Sequence, residues 1–307
     1  MAGDLVLLTG STGFVGFAVL RAALQHGYNV RAAVRSEEKA KTVRSNPTLK
    51  DVSEEQLSFV VVPDFLKEGA FDDAMKNVKY ILHVASPIPL KHISGDDDLD
   101  AIFIQPAIQG TLGVFRSAQK AGNVKRVVVT SSAAAIIPLS IMLGEKTDDV
   151  VTPESRVEAA PSPYMNHTQV AYAASKVLAL NHAEEYVAKE KPSFDVIHIH
   201  PTVVLGRNEL ALTSKDVDAG SCEYALGLVL GRHAESPFPI AVTHIEDVAL
   251  SHIRALNPQV SGNQSFLLSN SGKEGYHVSC SIFFNDFTAE KPEILTRPIV
   301  GRRKDMC

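Results

Sequence analysis

Residues 4–9 read Asp-Leu-Val-Leu-Leu-Thr, and Gly10-Ser11-Thr12-Gly13-Phe14-Val15-Gly16 follows at once. No other feature limits the fold as much. A short apolar run suits a buried strand, and a strand passing through a glycine turn into a helix, here 14–26, opens a strand–helix–strand unit. Glycines permit the tight turn and let backbone amides approach a pyrophosphate, while the helix presents its positive end to the phosphates. Gly10, Thr12, Gly13, Phe14, Val15 and Gly16 are therefore candidates to hold a dinucleotide. Their Gly-x-x-Gly-x-x-Gly spacing is one residue longer than the common dinucleotide pattern.

Further strand-like runs at 28–34, 57–62, 78–84, 124–130 and 194–200 alternate with helix-like segments, the longest at 98–121 and 168–189. That alternation predicts an α/β fold with a doubly wound parallel sheet of the Rossmann kind. Pro106 should kink or delay the first long helix. With 307 residues, 45% of them hydrophobic, the chain can bury a nucleotide-binding domain and a smaller lobe. After about Val203 the alternation blurs, except at 241–256, which reads as a strand and helix returned to the main sheet. The expected division is a dinucleotide-binding domain of residues 1–202 plus 241–256, and a substrate lobe of 203–240 plus 257–307 with a shortened C-terminus.

The second strand should end at Val34, where an enzyme using NAD usually places an acidic residue against the ribose 2′-hydroxyl. This chain places Arg35 there and Lys39 one helical turn on. A guanidinium suits a 2′-phosphate through forked, charge-assisted hydrogen bonds. At roughly 1.5–3 kcal/mol for a hydrogen bond to a charged group, Arg35 alone favours NADP over NAD ten- to a hundredfold.

Composition excludes other classes. A net charge of −5 and a pI near 6.1 give no reason to expect nucleic acid. No apolar run approaches the roughly 20 residues of a membrane span, and Met1-Ala2-Gly3-Asp4 lacks a basic leader, so a cytoplasmic protein is expected. Cys222, Cys280 and Cys307 form no Cys-x-x-Cys pair, which favours reduced thiols and no structural metal. His198 and His200 share a strand face but have no third ligand nearby, so packed histidines are expected. Asp96-Asp97-Asp98 reads as a helix cap.

Tyr172 and Lys176 stand four residues apart in a helical segment, so they lie one turn apart on one side. A cation about 4 Å from the phenol is worth roughly 4 kcal/mol at an effective dielectric near 20, enough to lower a tyrosine pKa by about three units. Val127-Val128-Val129-Thr130-Ser131-Ser132 reads as a buried strand ending in hydroxyls at the edge that receives the cofactor, where Ser132 can donate to a carbonyl. His198-Ile199-His200-Pro201-Thr202-Val203 is another strand running into a loop there.

With these marks, and with Val30 to Arg35, His83-Val84-Ala85-Ser86-Pro87 and His244-Ile245-Glu246-Asp247-Val248-Ala249, the chain resembles the extended short-chain dehydrogenase/reductases. The likeness is strongest to the dihydroflavonol-reductase-like branch, which includes fungal NADPH-dependent aldehyde and ketone reductases. It implies Ser132, Tyr172 and Lys176 as a catalytic triad, with Arg35 and Lys39 on the 2′-phosphate. It also implies Asp64 near the adenine, Ala85 beside the ribose and Pro201 with Val203 against the nicotinamide, with Phe65, Ser86 and Thr130 also at the cofactor. The implied reaction is NADPH-dependent reduction of an aldehyde or ketone, with Tyr172 as proton donor and Lys176 lowering its pKa.

Apolar side chains such as Ile88, Leu90, Ile136, Ile137, Leu139 and Met142 point to an apolar or aromatic carbonyl substrate. The alternatives are an NADP(H)-binding sensor without turnover, or alcohol oxidation or epimerisation on the same fold. A monomer and a homodimer are both compatible with the sequence.

Overall fold

The structure is a computed structural model, and it describes residues 3–89, 93–145, 150–213, 221–222, 226, 241–269 and 299–300. Its centre is a seven-stranded sheet. The strands are β1 (Leu5–Thr9), β2 (Asn29–Val34), β3 (Leu57–Val61), β4 (Tyr80–His83), β5 (Arg126–Thr130), β7 (Asp195–Pro201) and β10 (Gln264–Leu268). They lie in the order β10-β7-β5-β4-β1-β2-β3, and every neighbouring pair is parallel. The chain winds outward from β1 to β3, returns to β4 and winds out the other way. The sheet thus reverses direction between β1 and β4, which opens a crevice at the carboxyl ends of those strands.

Alternation along the strands decides which helices cover which face. Val6 and Leu8 of β1, Val128 of β5, and Ile197 and Ile199 of β7 join one core cluster with α1 (Phe14–Gln25) and α6 (Ile245–Ala255). Leu7, Val127, Val129 and Val196 point the other way, into a second cluster with α3 (Gln105–Ala121) and α5 (Thr168–Glu190). The remaining short elements are α2 (Glu37–Arg44), α4 (Leu139–Met142), β6 (Val150–Val151), β8 (Val203–Leu205), β9 (Val242–His244) and β11 (Ile299–Val300).

Pro106 delays α3 as expected: a π-helical turn over Asp100–Ile104 comes first, and the proline sits in the first turn of α3, where a missing N–H costs little. Asp98 accepts the Ala101 amide at 3.0 Å, so the acidic run does cap this turn. Two expectations need correction. Gln264–Leu268, assigned to the lobe, is the edge strand of the main sheet, because its apolar Phe266, Leu267 and Leu268 pair in register with Ile199, His200 and Pro201. Val242–His244, expected in the main sheet, instead pairs with Val203–Leu205 in a separate two-stranded sheet, and only the helix α6 packs against the core. Most of the expected lobe, including Cys280 and Cys307, lies outside the described residues. No described helix is long and apolar enough to cross a membrane.

Candidate active site

The glycine turn is packed backbone on backbone. Gly10 has φ +83°, and a Cβ there would come within 2.7 Å of the Ala85 nitrogen; one on Gly16 would stand 1.9 Å from the Gly10 carbonyl oxygen. Gly13 is looser, with a Cβ merely touching that oxygen at 3.5 Å. It begins α1 without a side-chain cap, so the first amides of the helix, among them those of Phe14, Val15 and Gly16, keep no intrahelical partner. Thr12 is exposed beside them, whereas Ser11 is wholly buried and its hydroxyl has no partner among the described residues. Open amides at a positive helix end, on a floor with no room for side chains, fit a pyrophosphate.

Thr9, at the tip of β1, ties this cradle to β4. Its hydroxyl oxygen takes the amides of Val84 and Ala85 at 3.2 Å and lies 2.9 Å from Nδ1 of His83. Burial, with the nearby Lys176 charge, pushes His83 down to about 4, so the neutral ring can accept the Thr9 proton. Neither Thr9 nor His83 stood among the sequence candidates. The signal was only that both occupy strand tips beside the glycine turn.

At the outer end of the crevice Arg35 follows β2 directly, its guanidinium carbon 5.9 Å from the centre of the Phe65 ring. Phe65 packs edge-on against Phe71. Arg35 and Lys39 are exposed, and the Lys39 amide bonds the Ser36 hydroxyl that caps α2. Asp64 is also exposed and takes the Leu66 amide at 2.8 Å.

The groups expected to react come from α5 and from the turn just past β5. Tyr172 is half-buried, with the Ser132 side chain near enough to its phenol to act on its pKa. The Lys176 ammonium lies 5.6 Å from the centre of the Tyr172 ring and donates to the Ser86 hydroxyl at 2.9 Å. Lys176 is only 6% exposed, and burial pushes it down to about 8. Here an expectation is corrected. Burial raises the Tyr172 phenol above its ordinary value and the nearby Ser132 side chain opposes that, while Lys176 is not among the groups that lower it. A cavity of about 20 Å³ has Lys176 in its wall, with His83, Ser86, Thr111, Ser131 and His198 among the other lining residues.

Thr130, expected at the cofactor, has its hydroxyl 2.7 Å from Nε2 of His252 in α6, so that side chain is committed to joining the sheet to the helix. Pro201 ends β7 and Val203 begins β8; between them Thr202 bonds the Thr243 hydroxyl at 2.8 Å, which fixes the turn at the rim. Among the described residues no three His, Cys, Asp or Glu side chains converge as metal ligands.

Fold and site together define a nucleotide-binding α/β protein with a tyrosine, lysine and serine grouped at the sheet's switch point. Residues 6–264 match the NAD dependent epimerase/dehydratase family, and the chain belongs to it. Among its relatives, a ketoreductase of Cercospora nicotianae is 41% identical over 281 residues, covering 90% of this chain and 77% of that protein. A ketoreductase of Aspergillus niger is 32% identical over 301 residues, covering 95% and 84%. Among solved structures, yeast methylglyoxal/isovaleraldehyde reductase Gre2 complexed with NADPH superposes with a TM-score of 0.72 at 26% identity, covering 86% of this chain and 78% of that one.

Proposed function

We propose that this protein is an NADPH-dependent reductase of aldehydes or ketones. The observation that carries the reading is the Tyr172 phenol with Ser132 close beside it and the buried Lys176 ammonium 5.6 Å from the centre of its ring, at the sheet edge reached by the glycine turn. The raised phenol fits this direction of reaction, because a tyrosine that keeps its proton at neutral pH is a proton donor. Kinship with ketoreductases and with a reductase solved with NADPH supports the same class.

The residues fit NADPH. Gly10, Gly13 and Gly16 with the amides of Phe14 and Val15, and Thr12 beside them, would hold the pyrophosphate, and Arg35 and Lys39 would hold the 2′-phosphate. Asp64 would border the adenine, Ala85 the ribose, and Pro201 and Val203 the nicotinamide, with Phe65 and Ser86 also lining the cofactor. The bound cofactor supplies the hydride. Ser132 donates to the substrate oxygen and holds it by Tyr172, which passes its proton to that oxygen. Lys176, bonded to Ser86 with its ammonium over the Tyr172 ring, places a positive charge beside the site.

An apolar carbonyl compound suits the rim. Large apolar side chains stand exposed on loops that leave the carboxyl edge: Ile88 after β4, Leu143 beyond β5, Met165 ahead of α5 and Leu212 after β8. The test is Tyr172→Phe, assayed by NADPH oxidation over small aldehydes, diketones and aromatic ketones. Turnover should fall by about 10²–10⁴-fold with NADPH binding retained. Unchanged turnover in that variant refutes the reading.

A further inference from the structure

The mechanism leaves unused two histidines of β7, both buried. His198 and His200 project to the α5 face and stack with ring centres 6.2 Å apart and planes 22° apart. Nδ1 of His200 lies 3.2 Å from the Ser132 carbonyl oxygen. A carbonyl can only accept, so Nδ1 carries the proton and Nε2 is the bare nitrogen. That Nε2 is buried without a partner among the described residues. Phenylalanine or leucine would fill this space and leave no nitrogen orphaned. What the position gains from imidazole is therefore the Nδ1–H.

The acceptor belongs to Ser132, whose side chain stands beside the Tyr172 phenol. Backbone pairing between β5 and β7 runs as far as the Ser131 amide, which bonds the Ile199 carbonyl at 2.8 Å. Ser132 is the first residue past that ladder. Its hydroxyl takes the Ala134 amide at 3.1 Å and its carbonyl the Ala135 amide at 2.9 Å, both bonds belonging to the short turn that follows. His200 extends the tie between the strands by one residue, with a side chain in place of a backbone amide.

We infer that His200 is a positioning residue for the reaction: it holds the Ser132 backbone to the sheet so that the hydroxyl faces the Tyr172 phenol. It touches neither substrate nor cofactor. The inference rests on the reading of Ser132 and Tyr172 given under Proposed function.

The test compares His200→Phe, which keeps the ring but loses the donor, with His200→Asn, whose amide reaches about as far as Nδ1. Each is made in the native chain and in Ser132→Ala. His200→Phe should lower kcat about tenfold, the worth of one hydrogen bond, with KM for NADPH unchanged. His200→Asn should restore most of the rate, and in Ser132→Ala the phenylalanine should cost nothing further. Equal kcat for the native chain and His200→Phe overturns the proposal, as does the same loss with and without the Ser132 hydroxyl.

Nitrogen NMR of the unmutated protein tests the geometry even if His200→Phe fails to fold. It should show Nδ1 protonated and Nε2 bare, and the opposite tautomer overturns the proposal. An unmutated protein that reduces no carbonyl refutes the proposed function instead, and is recognised before any variant is made.

Discussion

Single residues set the chemistry, and glycine turns show how narrowly. Gly16→Ala would drive a methyl group to 1.9 Å from the Gly10 carbonyl oxygen, which only a shift of the turn can relieve. NADPH binding, followed by quenching or calorimetry, should weaken at least tenfold, while Gly122→Ala, at a left-handed helix end with open space around it, should leave binding intact. Arg35 answers a different question. Its replacement by alanine should raise KM for NADPH ten- to a hundredfold and leave NADH nearly unchanged, since hydrogen bonds to a charged group are worth about 1.5–3 kcal/mol. The Tyr-x-x-x-Lys spacing and the glycines were plain in the sequence, because periodicity and backbone freedom are local. That Lys176 would bond Ser86 and Thr130 would turn to His252 was not, since those partners lie 90 and 122 positions away.

Among the elements, the opening strand, turn and helix and the parallel strands could be read directly, because a buried strand is a short apolar run between breakers. What escaped was the assignment of two short strands. Three residues such as Val242-Thr243-His244 carry too little pattern to say which sheet they join, and they pair with β8. At the other rim, β5 and β7 are locked by an ion pair that no local pattern announces. Arg126 meets Asp195 through both nitrogens of its fork, at 2.5 and 3.0 Å, and also donates to the carbonyls of Ala255, Asn257 and Val260. Arg126 is 7% exposed and Asp195 31%, so water already softens one side of the pair. Arg126→Met should cost about 3 kcal/mol, the low end for breaking a buried pair, read as a lower urea midpoint. No change in that midpoint would mean that the carbonyls find other donors.

At the scale of the molecule, burial of neutral histidines makes stability depend on acid. His83, His198 and His252 are held down to about 4 and His200 to about 3, in each case first by burial, against an ordinary value of 6.5. Between those limits the unfolded chain binds protons that the native chain refuses, so stability is complete above pH 6.5 and is lost as pH falls toward 4. Each histidine contributes a slope of up to about 1.4 kcal/mol per pH unit. Several acting together exhaust a typical total of about 5–15 kcal/mol, so the urea midpoint should collapse between pH 6.5 and 5. A midpoint constant down to pH 5 would show that these rings find protons or water at little cost. Lys176 acts with the same sign at higher pH: its depressed value, about 8 against 10.5, means a cost present below pH 8 and relieved as pH rises toward 10.5.

The sequence alone determined the doubly wound class, the cofactor end of the sheet and the tyrosine and lysine pair, because each follows from spacing within a few residues. Only the tertiary structure decided the balance of charge at the site. Whether Tyr172 is raised by burial or lowered by Lys176 depends on how much water the packed helices exclude and which partner the ammonium finds, and both are properties of segments far apart in the chain brought to one edge.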